Sequence, residues 1–203
     1  DKTADGDKYT KCVPTPFAKV IIREGAYSQT SWALILCNLV YTPAFNWFVT
    51  TLEFGTLYTP DLLNLMLTDV MVNDTKGKGK RNVIDALKII MAKTPLGKDK
   101  IFADCDIDEK ISVSGRETVT LNSLMRCSWA EPDARVILYS LYKFAEKCGG
   151  YYQFSLSALL DESIERDGIS PTRIFGLNYD IMVPILNGLS VNYSDFISAS
   201  FSL

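Results

Sequence analysis

The chain has 203 residues, 47% hydrophobic and 22% charged, with a net charge of −3. That is ample material for one or two packed domains, so general disorder is not the default. Histidine is absent, which removes Ser-His-Asp and Cys-His catalysis, imidazole acid-base chemistry and nearly all familiar zinc sites.

Five cysteines (Cys12, Cys37, Cys105, Cys127, Cys148) are scattered without a CxxC pair. Their odd number leaves a free thiol in any disulfide scheme, which suits a reducing compartment. The longest apolar stretch, Trp32 to Val40 with Asn38 inside it, falls far short of the roughly 20 residues that cross a bilayer. No basic-then-apolar leader opens the sequence. It reads as a soluble, cytoplasmic chain with no membrane partner.

In chain order, residues 1–15 are a polar tail or linker. A first helix is expected from about Thr30 to Val40, capped by Ser28 or Thr30 and ended by Pro43. Thr59-Pro60-Asp61 starts the next: a hydroxyl cap, a proline where its missing N–H costs nothing, and a carboxylate at the positive dipole end. After the polar turn Asn73-Asp74-Thr75 a third helix carries Val83, Ile84, Leu87, Ile90 and Met91 inward, and Thr94-Pro95-Leu96-Gly97 stops it. Helix, helix, basic helix is the helix-turn-helix order. Alternation from Ile101 to Asp108, a turn at Glu109-Lys110 and a further turn at Gly115-Arg116-Glu117 predict a hairpin, or wing, before an extended Thr118 to Leu121.

The second half repeats this order. Asp133 caps a helix that Gly149-Gly150 ends, Ser155 to Leu160 forms a short helix, Ser170-Pro171 begins a brief turn of helix, and Asn178 caps a last helix to about Gly188, with Pro184 inside. Phe196 to Leu203 alternates like a strand and stops without a partner, as if the natural chain continued. Helix against helix, Trp32 corresponds to Val136, Asp61 to Ser157 and Ala86 to Pro184, with aromatic pairs Trp47-Phe48 and Tyr151-Tyr152 before the second helix of each half. The fold class expected is therefore α+β, mainly helical, as two tandem winged-helix-like units over residues 16–130 and 131–203, the second truncated at its C-terminal end.

Charge is polarised along the chain. From Asp74 to Lys100 eight cations face three anions, a surplus of five, so the remainder carries −8. Within this stretch Lys76-Gly-Lys-Gly-Lys-Arg81 lacks the GxxxxGK[ST] spacing, a preceding strand and the hydroxyl that would hold magnesium, so it is no nucleotide-hydrolysis loop. At the start of a recognition helix the same residues combine backbone N–H groups, a dipole and cations, the recipe for phosphate contact; a solvated helix start is the plain alternative. Asp104, Asp106 and Asp108 are spaced like the opening ligands of a calcium loop, but Glu109 and Gly115 stand where a glycine and a bidentate glutamate are required, so no metal is expected. Trp129, Tyr139, Tyr142, Tyr151 and Tyr152 could stack bases, although helical spacing among leucines favours packing. Asp161, Glu162, Glu165 and Asp167 form an acidic loop without a partner acid or base.

Three segments carry a resemblance: Asp133-Ala-Arg-Val-Ile-Leu-Tyr-Ser-Leu-Tyr-Lys-Phe-Ala-Glu-Lys-Cys-Gly-Gly150, Ser170-Pro-Thr-Arg-Ile-Phe-Gly-Leu177 and Leu189-Ser-Val-Asn-Tyr-Ser-Asp-Phe-Ile197. They resemble the carboxy-terminal region of bacterial phosphoadenosine-phosphosulfate-reductase-like proteins and of small companion proteins in DNA-modification and defence loci. The resemblance spans about residues 16–203 and is closest after 130. The family's catalysis would need an SxGxDS adenylate-binding loop, and no such run is present, so the resemblance implies work on DNA and assigns no catalytic residue.

Together these features lead to the expectation of a non-catalytic DNA-binding or DNA-positioning module with no cofactor and no identifiable small-molecule substrate. Lys78, Lys80 and Arg81 lead as contacts, with Lys76, Lys88 and Arg116 behind them. The alternatives are an assembly module for other domains of the parent or companion subunits, through the edge at 196–203, and an accessory domain of a reductase or nucleotide-transfer enzyme.

Overall fold

The computed structural model describes residues 13–73, 76–150, 152–161 and 167–199. They form a mainly helical α+β protein with a small antiparallel sheet. The first helices are α1 (Pro16–Glu24), α2 (Gln29–Leu39) and α3 (Pro43–Thr51), followed by a short strand β1 (Leu57–Tyr58). Next come α4 (Pro60–Val70), α5 (Lys78–Lys93), α6 (Pro95–Lys98) and the long hairpin of β2 (Ala103–Ile111) and β3 (Glu117–Arg126). The chain then runs through α7 (Ala134–Lys147), α8 (Leu156–Leu160), α9 (Pro171–Phe175) and α10 (Tyr179–Asn192).

Local chemistry sets most of these boundaries. Hydroxyls of Thr15, Ser28, Thr59, Ser155 and Ser170 and the side chains of Asp133 and Asn178 accept a first-turn N–H of the helix each precedes, satisfying groups with no intrahelical partner. Pro43 both closes and opens: α2 ends before it, and with Thr42 extended as N-cap the ring takes the first position of α3. The expected end at Pro43 is thus also the start of a helix that periodicity did not reveal. α1, which begins at Pro16 behind Thr15, was likewise unexpected.

The sheet order is β1-β3-β2, with β1 and β2 each antiparallel to β3. The hairpin turn falls at Ser112 to Arg116 rather than at Glu109-Lys110, which lie inside β2. Ser112 accepts the Gly115 N–H at 2.8 Å, and Gly115 takes φ +77°, a left-handed conformation that glycine adopts without strain. The mislocation has a physical source. The distal hairpin projects from the body, every residue from Asp108 to Thr118 is exposed, and burial no longer imposes alternation there.

One hydrophobic core runs through the molecule, from Ala33, Leu36 and Cys37 of α2 through Phe48, Leu63, Leu87 and Leu124 to Val136, Ile137, Phe175 and Met182. α7 lies along α2, where the Tyr139 hydroxyl donates to Asn38 Oδ1 at 3.1 Å, and Thr30 Oγ1 donates to Asp133 at 2.9 Å. Burial opposes ionisation of Asp133, but its hydrogen bonds from Arg135 and Thr30 hold the carboxyl below its ordinary range. No single helix among the described residues is long and apolar enough to cross a membrane. The bent pair α2 and α3 reaches that composition only jointly, across a 98° break, and its apolar side chains lie in the core.

Two expectations for the second half are corrected. Among the described residues no strand follows β3, so no hairpin accompanies α7 to α10. The strand expected at 196–203 is absent over 196–199, where Ala199 N–H donates to Ser190 Oγ at 2.7 Å and the segment folds back on α10; residues 200–203 lie outside the described residues. α10 also runs past the expected Gly188 to Asn192.

Candidate nucleic-acid interface

α5 carries the basic residues. It starts at Gly77, which takes a left-handed φ of +63° and has no side chain with which to cap the helix. The positive end of the helix dipole therefore lies at this turn without a capping side chain from Gly77. Lys76 precedes the helix in an exposed turn, and Lys78 and Arg81 are exposed on its first turn. Among the described residues no ion pair joins Lys76, Lys78 or Arg81 to a carboxylate. Lys80 projects toward α4, where its ammonium donates to Thr68 Oγ1 at 3.0 Å.

The other half of α5 differs. Lys88 pairs with Asp85 at 2.7 Å. Lys93 pairs with Glu109 of β2 at 2.7 Å and also with Glu117 of β3. Beyond the helix, Lys100 pairs with Asp104 at 2.6 Å. The hydrogen bond from Lys93 holds the Glu109 carboxyl below its ordinary range, and Lys93 is itself held above its own, first by Glu109 and then by Glu117.

The six sequence candidates thus fall into two places. Lys76, Lys78, Lys80 and Arg81 gather at the N-terminus of α5. Lys88 and Arg116 border an open cleft of about 620 Å³ between the second half of α5 and β3, with Tyr27, Ile89, Lys93 and Val119. Lys88 stands seven residues after Arg81, about 10 Å along the axis at 1.5 Å per residue.

The remaining constellations take structural places. Lys100 meets Asp104, and Asn122 donates to Asp108 at 3.2 Å. Among the described residues no group of three or more Cys, Asp or Glu side chains could hold a metal ion. Trp129 is buried against Phe175 at 5.2 Å, and Tyr139 stacks on Phe17 at 6.0 Å. Tyr142 and Tyr152 form an exposed pair 5.9 Å apart, while Tyr151 lies outside the described residues. Of the acidic loop, Glu162 and Glu165 lie outside them too.

No protein-family model, curated protein or solved structure matches the chain.

Two features escaped the sequence. Lys93 sits in a helical last turn and its two acids lie 16 and 24 residues on, with nothing in their spacing to connect them. Arg126 is wholly buried. Its guanidinium donates to the carbonyls of Val49 at 3.0 Å, Arg173 at 2.7 Å and Ile174 at 2.8 Å, in the last turns of α3 and α9, and lies 4.1 Å from the Phe54 ring centre. A cation there answers the negative ends of two helix dipoles and their open carbonyls. An arginine ending a strand gives no sign of this in sequence.

Proposed function

We propose that this chain is a non-catalytic nucleic-acid-binding module that grips duplex phosphate with the N-terminus of α5. The observation that carries the reading is the division of that helix: among the described residues Lys76, Lys78 and Arg81 at its start pair with no carboxylate, whereas Lys88 and Lys93 along its second half do. Exposed cations at the positive end of a helix dipole are what a phosphate requires. Lys78, Arg81 and Lys88 fall on one exposed face, but Lys88 is already neutralised by Asp85. Lys76, Lys78 and Arg81 are therefore the leading contacts, with Lys80 bridging to α4.

The finer architecture belongs to this proposal. A strand before α4, then α4 and α5, then a hairpin, in a sheet ordered β1-β3-β2, supports a winged-helix arrangement for the first half. The resemblance of residues 133–150, 170–177 and 189–197 supports placement in a bacterial DNA-modification or defence protein, as a positioning module in the cytoplasm.

Charge reversal tests the reading. Anisotropy titration of a labelled duplex with the Lys78→Glu/Arg81→Glu protein should show binding reduced by at least about a hundredfold, as two contacts become two repulsions. Lys98→Glu, beyond the other end of α5, should lower it far less. Equal losses at both ends would reduce the effect to overall charge and overturn the assignment.

A second reading, protein assembly, has its own support. Leu57 of β1 is 61% exposed and Leu65 of α4 is 67% exposed, with Leu62 between them in sequence. In the edge at 196–203, Phe196 is 64% exposed, Ile197 packs on the core and Phe201 lies outside the described residues. Leu57→Asp/Leu65→Asp should dissociate a partner under this reading while leaving duplex affinity intact.

A further inference from the structure

Glu109 and Glu117 are placed where a nucleic-acid interface should not tolerate them. Ile111 of β2 pairs with Glu117 and Glu109 pairs with Val119, so the two carboxylates lie diagonally on one face of the hairpin, the face turned to α5. Two like charges at this separation repel one another, and both would repel phosphate. The Lys93 ammonium lies between them, bonded to each. Lys98 adds a weaker positive influence on Glu109. The same contacts join β2, β3 and the last turn of α5 on the cleft bordered by Arg116.

We propose that Lys93 is a positioning residue: by clasping Glu109 and Glu117 it turns their carboxylates toward α5, fixes the hairpin against that helix, and holds the cluster beside Arg116 at a net charge of −1 instead of −2. This rests on the nucleic-acid reading of α5, and it assigns Lys93 no phosphate of its own. The clasp is partly exposed, with side chains 34%, 39% and 46% accessible, so its effect is modest and sensitive to salt.

Four proteins decide the matter: the wild type, Lys93→Gln, Lys93→Arg, and the triple variant Lys93→Gln/Glu109→Gln/Glu117→Gln. At low salt Lys93→Gln should weaken duplex binding by roughly three- to tenfold, because two unbalanced carboxylates now face phosphate. The arginine variant should bind as the wild type does, and the triple variant, whose cluster is uncharged, should recover at least wild-type affinity although it lacks the lysine. If the triple variant stays as weak as Lys93→Gln, with a salt slope lower by about 0.9, Lys93 contacts phosphate itself and the clasp is refuted as its role. Hydrogen exchange without nucleic acid supplies an arm independent of the α5 reading. Amides of residues 109–119 should exchange faster in Lys93→Gln than in the wild type, and unchanged exchange there overturns the proposal. Failure of the α5 reading itself would appear separately, as duplex affinity indifferent to Lys78 and Arg81.

Discussion

At the scale of single residues, Arg126 is the side chain on which the packing of α3, α9 and the sheet converges. Arg126→Met keeps volume but removes every donor, leaving three carbonyls facing an apolar side chain in the interior. With about 1–3 kcal/mol for each unsatisfied buried group, partly relieved by relaxation, a loss of roughly 3–5 kcal/mol is expected. Urea denaturation measures it, and a loss below about 1 kcal/mol would show that relaxation or water satisfies those carbonyls. The thiols give a pH-dependent test. Burial pushes Cys37 from 9.0 up to about 12 and Cys105, largely by burial and then by Asp104, to about 12. A folded-state value above the unfolded one means stability that is complete below pH 9.0 and lost as pH rises toward 12. The urea midpoint should therefore fall across that window, less steeply in Cys37→Ala/Cys105→Ala. Tyr41, raised by burial from 10.0 to about 12, adds to the fall in both proteins.

At the scale of elements, helices were legible where a cap is written into the chain and obscure where only packing defines them. Thr59-Pro60-Asp61 announces α4, and the Thr59 hydroxyl accepts the Leu62 N–H at 3.3 Å. Thr59→Ala should cost about 1 kcal/mol in the same denaturation experiment. Ser28, Asp133, Ser155, Ser170 and Asn178 were equally readable. α3 was not, because Pro43, which starts it, also reads as the stop of α2, and its polar face is narrow: Phe45, Trp47, Phe48 and Val49 are buried and only Asn46 and Thr50 follow Pro43 on the exposed side. The hairpin was legible as a hairpin, but its turn was not, since beyond the body Glu109 and Lys110 are strand residues that nothing buries. Gly115→Val places a branched side chain at φ +77° and should destabilise the tip by about 1 kcal/mol or more, seen as faster exchange of residues 110–118 with the core unaffected.

At the scale of the whole molecule, a continuous core joins the first half to α7 through α10, while charge is arranged by length along α5. Sequence counting located the basic stretch, but it could not distinguish Lys78 from Lys88 or Lys93, because ion pairs with Asp85, Glu109 and Glu117 depend on helical spacing and on hairpin register together. What separates them is geometry, and it concentrates the binding claim on about one turn of helix. The most direct test is the salt dependence of duplex affinity. Between about 50 and 200 mM salt, log K against log salt should be linear, and Lys76→Ala/Lys78→Ala/Arg81→Ala should lower its slope by about 2.7 if each cation neutralises one phosphate, at roughly 0.9 per contact. Lys88→Ala should shift the slope by far less. Superimposable plots for the wild type and the triple variant would contradict the account and remove α5 from the nucleic-acid interface.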